Sequence, residues 1–404
     1  MKVVQINAVY GYSSIGRTLS EMHEFFEEHG IESYKFYAVQ SAKQDNPYDL
    51  IGNRLDHKLH GLFSRLFGKQ AYFSYFSTSK LIKKLKSIDP DVVVLRNFHS
   101  NYIHMPSLLS YLGKNDIPTV VVLHDCWFYT GHCCHYTEVA CNKWQSECRN
   151  CPLIRTGNKS WLFDNSRIIF RDKQRLFGSI RHLAVVGVSD WITNEAKKSP
   201  IFERAEKFQR IYNWIDFRKF YYRDSASSLR KKLGLNSEDF VALGVSMTWD
   251  YKKGINVFFD IARTVPDIKV VMIGKLPERD MPNNLISLPP TSSTDELAEL
   301  YSMADVFLNF SIQESFGKVA AEALSCGTPA IINDVTANPE IVGDMCGEIV
   351  DTSDINSVIS AVKTVRTKGK GAYREKCIQR AHDLFDRNKN ILQYIELFNT
   401  LNHM

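Results

Sequence analysis

No stretch of this chain approaches the roughly 18 consecutive apolar residues that a membrane-spanning helix needs. A bilayer span is therefore not expected. The first residues, MKVVQINAVYG, are too short and too polar for a secretory leader and read as a first strand. Nothing in the sequence directs the chain out of the cytosol. Repeats and low-complexity segments are absent. So is a strong excess of one charge: 50 Lys and Arg against 45 Asp and Glu leave +5. No basic stripe carries interleaved aromatics that could read bases, which argues against nucleic acid as a partner. The small positive balance suits an anionic small molecule or an anionic membrane face. With no export signal, the nine cysteines read as thiols or metal ligands rather than as a disulfide framework.

What is present is an alternation of strand-like and helix-like runs over 404 residues, 44% of them apolar. That is enough for two α/β domains. Val3–Val9, Val92–Leu95, Thr119–Leu123 and Ala184–Val188 read as buried parallel strands of a first domain. Val241–Val245, Val270–Ile273, Val306–Phe310 and Ala330–Ile332 read as those of a second. The join falls near Ile211–Phe217. A long last helix is expected from about Tyr373 to Leu401.

The most informative stretch is Ala304–Ile332. An apolar run gives way to a polar loop containing Gly317, and a helix is expected from about Lys318 to Ser325. Gly327-Thr328-Pro329 stops it before the next strand. A loop that feeds a helix N-terminus points unpaired N–H groups and the positive end of the helix dipole forward, where a phosphate or diphosphate fits. Glu314 and Glu322 flank that position. Eight residues span roughly 12 Å if helical, the scale of a sugar nucleotide. Each carboxylate can accept two hydrogen bonds from a vicinal diol. The competing reading makes Glu322 a solvated surface residue and Glu314 an ordinary loop residue.

The run E-S-F-G-K-V-A-A-E, followed by A-L-S-C-G-T-P-A-I, resembles the E-x7-E signature of family 4 glycosyltransferases, whose fold is called GT-B. The resemblance implies two doubly wound, Rossmann-like α/β domains facing across a cleft. It implies residues 1–212 as an acceptor-side domain, 213–385 as a nucleotide-sugar domain, and 386–404 as a terminal helix returning to the first. Glu322 would hold the donor ribose and Glu314 would contact the donor sugar. Backbone amides near Phe316, Gly317 and Lys318 would meet the diphosphate. The segment I-Y-N-W-I-D resembles the family's I-P-N-G-I-D, with Tyr212 and Trp214 as departures. The family transfers sugars from nucleotide-diphosphate donors with retention of configuration, without a catalytic metal.

Other positions take roles in the same frame. In T-W-D-Y-K-K-G-I the resemblance makes Lys253 the cation beside the leaving diphosphate, a large electrostatic term. Many relatives also have an Arg after the strand's glycine. Here Gly244 is followed by Val245-Ser246, leaving Lys252, Arg17 or Lys318 to compensate. The first loop, V-Y-G-Y-S-S-I-G-R, falls short of G-x-G-x-x-G but offers Ser14, Gly16 and Arg17 to the donor or acceptor; the alternative is a plain strand–helix turn. His124 ends a strand where ligands of open α/β sheets bind, and the family has an active-site His after a corresponding strand. Asn97 and His99 are the matching acceptor-side pair. Asp89-Pro90-Asp91 looks like the metal-binding D-x-D of another glycosyltransferase fold. It precedes a strand, where P-D is turn chemistry, and is read as structural.

Residues 126–151 hold six of the nine cysteines, too many for chance in an insertion with little core. Cys133, Cys141, Cys148 and Cys151 end in C-x2-C, a spacing that closes around a structural zinc. His132, Cys134 and His135 are alternative ligands, and free thiols or a disulfide pair are alternative states. The G-H-C…C…W…C-x2-C-P pattern resembles one in a subgroup of bacterial family 4 enzymes that assemble surface polysaccharide (O-antigen, capsule or exopolysaccharide). Residues 55–87 mix His57, Lys58, Arg65, Lys69, Lys83, Lys84 and Lys86 with Phe63, Phe67, Phe73 and Phe76. That is a basic amphipathic face fit for a peripheral contact with the inner membrane and a lipid-linked acceptor, or else a solvated outer face. Two rivals stand beside the transferase: a GT-B epimerase or phosphorylase, and a zinc-containing nucleic-acid binder.

Overall fold

The structure is a computed structural model and describes residues 1–40, 48–224 and 226–402. The chain divides into two compact units, residues 1–211 with 391–404, and residues 212–390. The sequence placed these boundaries after residues 212 and 385.

Unit 1 is built on strands β1 (Lys2–Tyr10), β2 (Glu32–Gln40), β3 (Val92–Leu95), β4 (Thr119–Leu123), β5 (Leu183–Gly187) and β6 (Lys207–Arg210), in spatial order β2-β1-β3-β4-β5-β6. Unit 2 has β7 (Phe240–Thr248), β8 (Ile268–Lys275), β9 (Leu285–Leu288), β10 (Val306–Asn309), β11 (Ala330–Asn333) and β12 (Gly347–Val350), in order β12-β11-β10-β7-β8-β9. Every neighbouring pair is parallel. Parallel sheets need crossover connections, and helices on both faces bury the strands on both sides. That is why Val92–Leu95 and Val120–Leu123 are wholly apolar and fully buried, with no inside/outside alternation.

In each sheet the winding reverses once. β1 lies beside β3 in unit 1, and β7 lies beside β10 in unit 2. The crevice outside the carboxyl ends of the strands at such a reversal is where open α/β sheets bind ligands.

The expected last helix is broken in two, and the basic amphipathic segment holds two helices. The last helix runs as Arg374–Phe385 and Arg387–Asn402. Asp386 is extended, with φ −64° and ψ 126°. Ile215 N–H takes the Phe385 carbonyl, and the Asn390 side-chain amide takes that of Leu384. The helix breaks because other partners claim its carbonyls, and no Gly or Pro marks the place. The segment 55–87 forms helices Arg54–Phe67 and Tyr75–Ile88. Asn53 caps the first through Leu55 and Asp56 N–H, and Gly68, left-handed at φ 62°, ends it. Among the described residues no helix is long and apolar enough to cross a membrane.

Candidate functional site

The carboxyl edge of the unit 2 sheet gathers the residues singled out around Glu314. β7 ends in a short turn, Tyr251–Lys253, capped by Asp250 accepting from Lys253 N–H. β10 ends in a polar loop that enters the helix Lys318–Ser325. The two loops meet: Ile312 N–H donates to the Lys252 carbonyl at 3.0 Å. Gly254 permits this approach. It is left-handed at φ 70°, and a Cβ there would lie 2.5 Å from Phe310 Cβ and 2.6 Å from Phe310 O. A side chain would push the lysine turn off the end of β10.

With the loops in contact, Lys253 Nζ lies 2.7 Å from Glu314 Oε1 and 3.3 Å from Ser311 Oγ. Thus two of the three expected catalytic side chains form one ion pair at the β7/β10 reversal. Glu314 is fixed from behind: its N–H donates to Thr336 Oγ1 at 3.0 Å, and its carbonyl accepts from Ala337 N–H. Gly317 stands at the helix N-cap, left-handed at φ 86°. Phe316 is buried between Tyr212 and Phe385, with ring centroids 6.0 and 5.3 Å away. It is an anchor for the loop, not a ligand-facing ring. Lys318 opens the helix.

Glu322 is 3% exposed and accepts the Tyr301 hydroxyl at 3.1 Å. The solvated-surface reading of this residue is excluded. A buried carboxylate costs several kcal/mol unless its acceptors are satisfied, and the Tyr301 hydroxyl meets part of that need.

Sequence reasoning missed the asparagines that hold the 311–317 loop. Asn309 and Asn333 end β10 and β11, and Asn338 opens the next short helix; all are buried. Asn309 Nδ2 donates to Asn338 Oδ1 at 3.3 Å, and the amides of Asn333 and Asn338 both reach the Ser311 carbonyl. The available signal was a polar residue closing each apolar strand run.

In unit 1 the first loop runs from β1 into the helix Ser13–Glu28. Gly11 N–H donates to the Gly16 carbonyl at 3.1 Å. Gly16 is buried beside Val9, whose Cγ2 would lie 3.2 Å from an added Cβ, so the turn is tight. Ser14 lies in the first turn and its carbonyl accepts from Thr18 Oγ1, while Arg17 is half-buried one turn on. His124 follows β4, with Nε2 3.5 Å from Arg96 Nη1. Arg96 is fully buried at the end of β3, with Nη2 on Gln5 Oε1 and Met22 Sδ. This guanidinium was not singled out from the sequence, although it closes the apolar run V-V-V-L. Asn97 follows it at φ 31°, a conformation Asn tolerates.

His99 Nε2 lies 2.8 Å from Asp125 Oδ2. Burial opposes its protonation, but Cys134 and Asp125 outweigh that and hold it well above the ordinary histidine value. Asp125 is held at about 2: burial works against this, and His99 and the Trp127 N–H overcome it.

Cys133, Cys141, Cys148 and Cys151 line one cavity of about 10 Å³, together with His132. That space takes an ion or a single water and nothing larger. His132 is 1% exposed, and neither ring nitrogen has a hydrogen-bond partner. Burial pushes it down to about 4. Gly131 N–H donates to Cys148 Sγ at 3.2 Å, the kind of backbone donor that stabilises a metal thiolate. Lys173, fully buried, donates to the Trp127 and Thr130 carbonyls, with Cys148, Cys134, Asp125 and Cys133 in its field. Asp89-Pro90-Asp91 lies at the opposite, amino edge of the sheet, where Asp91 Oδ2 accepts Lys2 N–H.

Residues 225–383, which lie within unit 2, match the family model of glycosyl transferases group 1. N-acetyl-alpha-D-glucosaminyl L-malate synthase of Bacillus anthracis is 28% identical over 193 residues, 44% of this chain and 50% of that protein. The chain thus spans about half the length of the curated relatives it matches. Among solved structures, sucrose-phosphate synthase from Thermosynechococcus elongatus superposes with a TM-score of 0.68 at 16% identity, covering 99% of both chains. HepE from Anabaena, in complex with UDP and glucose, superposes with a TM-score of 0.66 at 15% identity, covering 99% of this chain and 100% of that one. The fold is the α/β GT-B type.

Proposed function

We propose that this chain is a retaining glycosyltransferase that moves a sugar from a nucleotide-diphosphate donor to a glycan or lipid-linked saccharide in bacterial surface-polysaccharide assembly. The observation that carries the reading is the Lys253–Glu314 pair at the β7/β10 reversal, in front of the Lys318 helix N-terminus, with buried Glu322 eight residues on. The donor loses its C1–O bond to the diphosphate while the acceptor hydroxyl forms a bond to C1 on the same face. The hydroxyl proton leaves toward a departing phosphate oxygen. Lys253 and the loop N–H groups near Gly317 stabilise the charge that grows on the diphosphate. Glu314 aims Lys253 before the donor arrives and then meets the sugar, and Glu322 holds the ribose. In unit 1, His124, Asn97, His99 and the Ser14–Arg17 turn serve the acceptor or the donor phosphates. No catalytic metal enters this transfer at unit 2.

The four cysteines that line this cavity are the candidates for a structural zinc, with His132 as a fifth, although their donor atoms do not converge in this structure as those of His99, Asp125 and Cys134 do. The support is a cavity of ion size, an orphaned buried imidazole and an N–H aimed at Cys148. Zinc would cross-link the 133–151 block, which has short 3₁₀ turns and no strand or α-helix of its own. The reading places the chain at the cytoplasmic membrane face. Its support is the exposed row Leu55, Leu59, Leu62, Phe63 and Phe67 on one helix, with Lys58 and Arg65 on the same element.

Thermal stabilisation by UDP, GDP, ADP and their sugar conjugates tests the donor site. A rise in melting temperature with one nucleotide, lost in Glu322→Gln, is expected. No shift with any of them sinks the assignment. A product formed without an acceptor would make the chain an epimerase, and one that requires inorganic phosphate would make it a phosphorylase.

A further inference from the structure

Cys133 and Cys134 are neighbours in sequence, but they serve different clusters. Cys133 lines the tetrathiol cavity and Cys134 does not. One donor atom each from His99, Asp125 and Cys134 lies within 4.8 Å of the other two. All three side chains are already steered. Asp125 Oδ1 accepts Trp127 N–H at 2.8 Å, which leaves Oδ2 facing His99. Cys134 Sγ accepts the Asn158 side-chain amide at 3.1 Å. His99 and Asp125 keep 18% and 15% of their side-chain surface open to solvent, so an ion can enter and an outer ligand can reach it. The group sits after β3 and β4, on the carboxyl edge of the unit 1 sheet, beside the β1/β3 reversal.

The same three residue types also make a nucleophilic triad, and geometry separates the two. In a triad the acid and the nucleophile hydrogen-bond to opposite nitrogens of the imidazole, so their atoms lie on opposite sides of the ring. Here the carboxylate oxygen and the sulfur are close to each other as well as to the ring nitrogen. Three donors that converge on one point describe a coordination site. From these positions we infer that His99, Asp125 and Cys134 form a second metal site, for a borderline-soft divalent ion of the zinc class, with one coordination position open to a water or hydroxyl oxygen. The mixed N, O and S donor set matches that ion, and three protein ligands with an open fourth position is the pattern of non-structural zinc. A dication with one carboxylate and one thiolate is neutral overall. That suits a place close to the buried Lys173 amine, which desolvation holds down to about 7, since burying net charge is costly. The Trp127 N–H and the Asn158 amide act as outer partners that fix the ligands. The inference does not depend on the transfer reaction of unit 2.

The test uses the full chain, stripped of metal with a chelator, and Zn²⁺ alone as the probe. Iodoacetamide labelling of each cysteine is followed by peptide mass spectrometry. Zinc is expected to shield Cys134. His99→Ala and Asp125→Asn are expected to abolish that shielding while Cys133, Cys141, Cys148 and Cys151 behave as in the parent chain. Asp125→Asn is nearly isosteric, and a melting curve checks its fold. Cys134→Ser is expected to bind one zinc ion fewer per chain. Shielding of Cys134 that persists in His99→Ala overturns the site, because zinc in the tetrathiol cavity would then account for it. Labelling that ignores zinc but slows in His99→Ala also overturns it, in favour of a histidine-activated thiol. Unchanged zinc content in Cys134→Ser does the same.

Discussion

Lys253→Met separates a catalytic role from a structural one, because the two carry different magnitudes in this structure. Lys253 and Glu314 are 39% and 19% exposed at the side chain. An ion pair so placed is worth about 0–1 kcal/mol of stability after solvent screening. For a unit of this size that corresponds to a melting-temperature loss of about 2–4 °C or less. Met keeps an aliphatic stem of similar length and removes the charge. If Lys253 stabilises the leaving diphosphate, the loss in transfer is about 10²–10³-fold, or roughly 2.7–4 kcal/mol. Glu314→Gln retains a hydrogen bond to Lys253 but not the attraction. It is expected to melt like the parent chain and to lose transfer as well. The assay measures nucleotide diphosphate release with the donor identified by thermal shift, beside a melting curve for each variant. Transfer within tenfold of the parent in Lys253→Met would refute the reasoning. So would a loss of activity that merely follows a melting-temperature drop well beyond the screened ion pair.

The remaining predictions concern other parts of the molecule. Gly254→Ala is expected to cost about 2 kcal/mol or more in urea unfolding, since it combines a left-handed φ with a backbone clash at Phe310. An unchanged unfolding midpoint would show that the loop contact is loose. His60, buried with Nδ1 on Ser74 Oγ at 2.8 Å, is pushed down to about 3 by desolvation. Above the unfolded value near 6.5 both states are neutral and its contribution is intact. As pH falls the unfolded chain takes the proton first, so stability drops progressively toward pH 3. The loss is about 2 kcal/mol by pH 5. The urea midpoint of His60→Gln should therefore change less between pH 7 and pH 5 than that of the parent, and equal slopes would contradict it. Leu55→Ser with Leu59→Ser, at positions 66% and 44% exposed, should reduce cosedimentation with anionic vesicles; undiminished binding removes that face from the membrane contact. Chelation should lower the melting temperature of the parent chain and leave Cys148→Ser unaffected, and an equal shift in both would place the stabilising ion elsewhere.

The inner strands of both sheets were legible in the sequence because parallel strands buried on both faces leave unbroken apolar runs, while the edge strands β2, β6, β9 and β12 were not read. Val92–Leu95, Thr119–Leu123 and the helix Lys318–Ser325 fall where the pattern put them. The loop between β10 and that helix was legible for a different reason: a small polar stretch before a helix has few other uses. What stayed hidden depends on partners distant in sequence. The break at Asp386 is imposed by Ile215, and the convergence of His99 and Cys134 needs two separate strand ends to meet. The burial of Glu322 was also invisible, because Tyr301, which donates to its carboxylate, stands on another helix. The 55–87 segment was read only as a basic amphipathic face, and its division into two helices at Gly68 was not read.

The route of the chain through its two units sets an order of assembly. Unit 2 is continuous from Tyr212 to Asn390, and its two ends are tied: the Asn390 side-chain amide donates to the Tyr212 carbonyl at 3.1 Å. Unit 1 is discontinuous. It needs residues 391 onward, whose Tyr394, Phe398 and Leu401 are buried, with Phe398 set edge-on to Phe26. During synthesis the first unit therefore emerges early yet waits for the last part of the chain, while the second has every residue it requires and can close on itself before the ribosome finishes. A nascent chain halted before residue 391 would carry a complete second unit and an unsealed first one, with the apolar surface around Phe26 left for chaperones to shield.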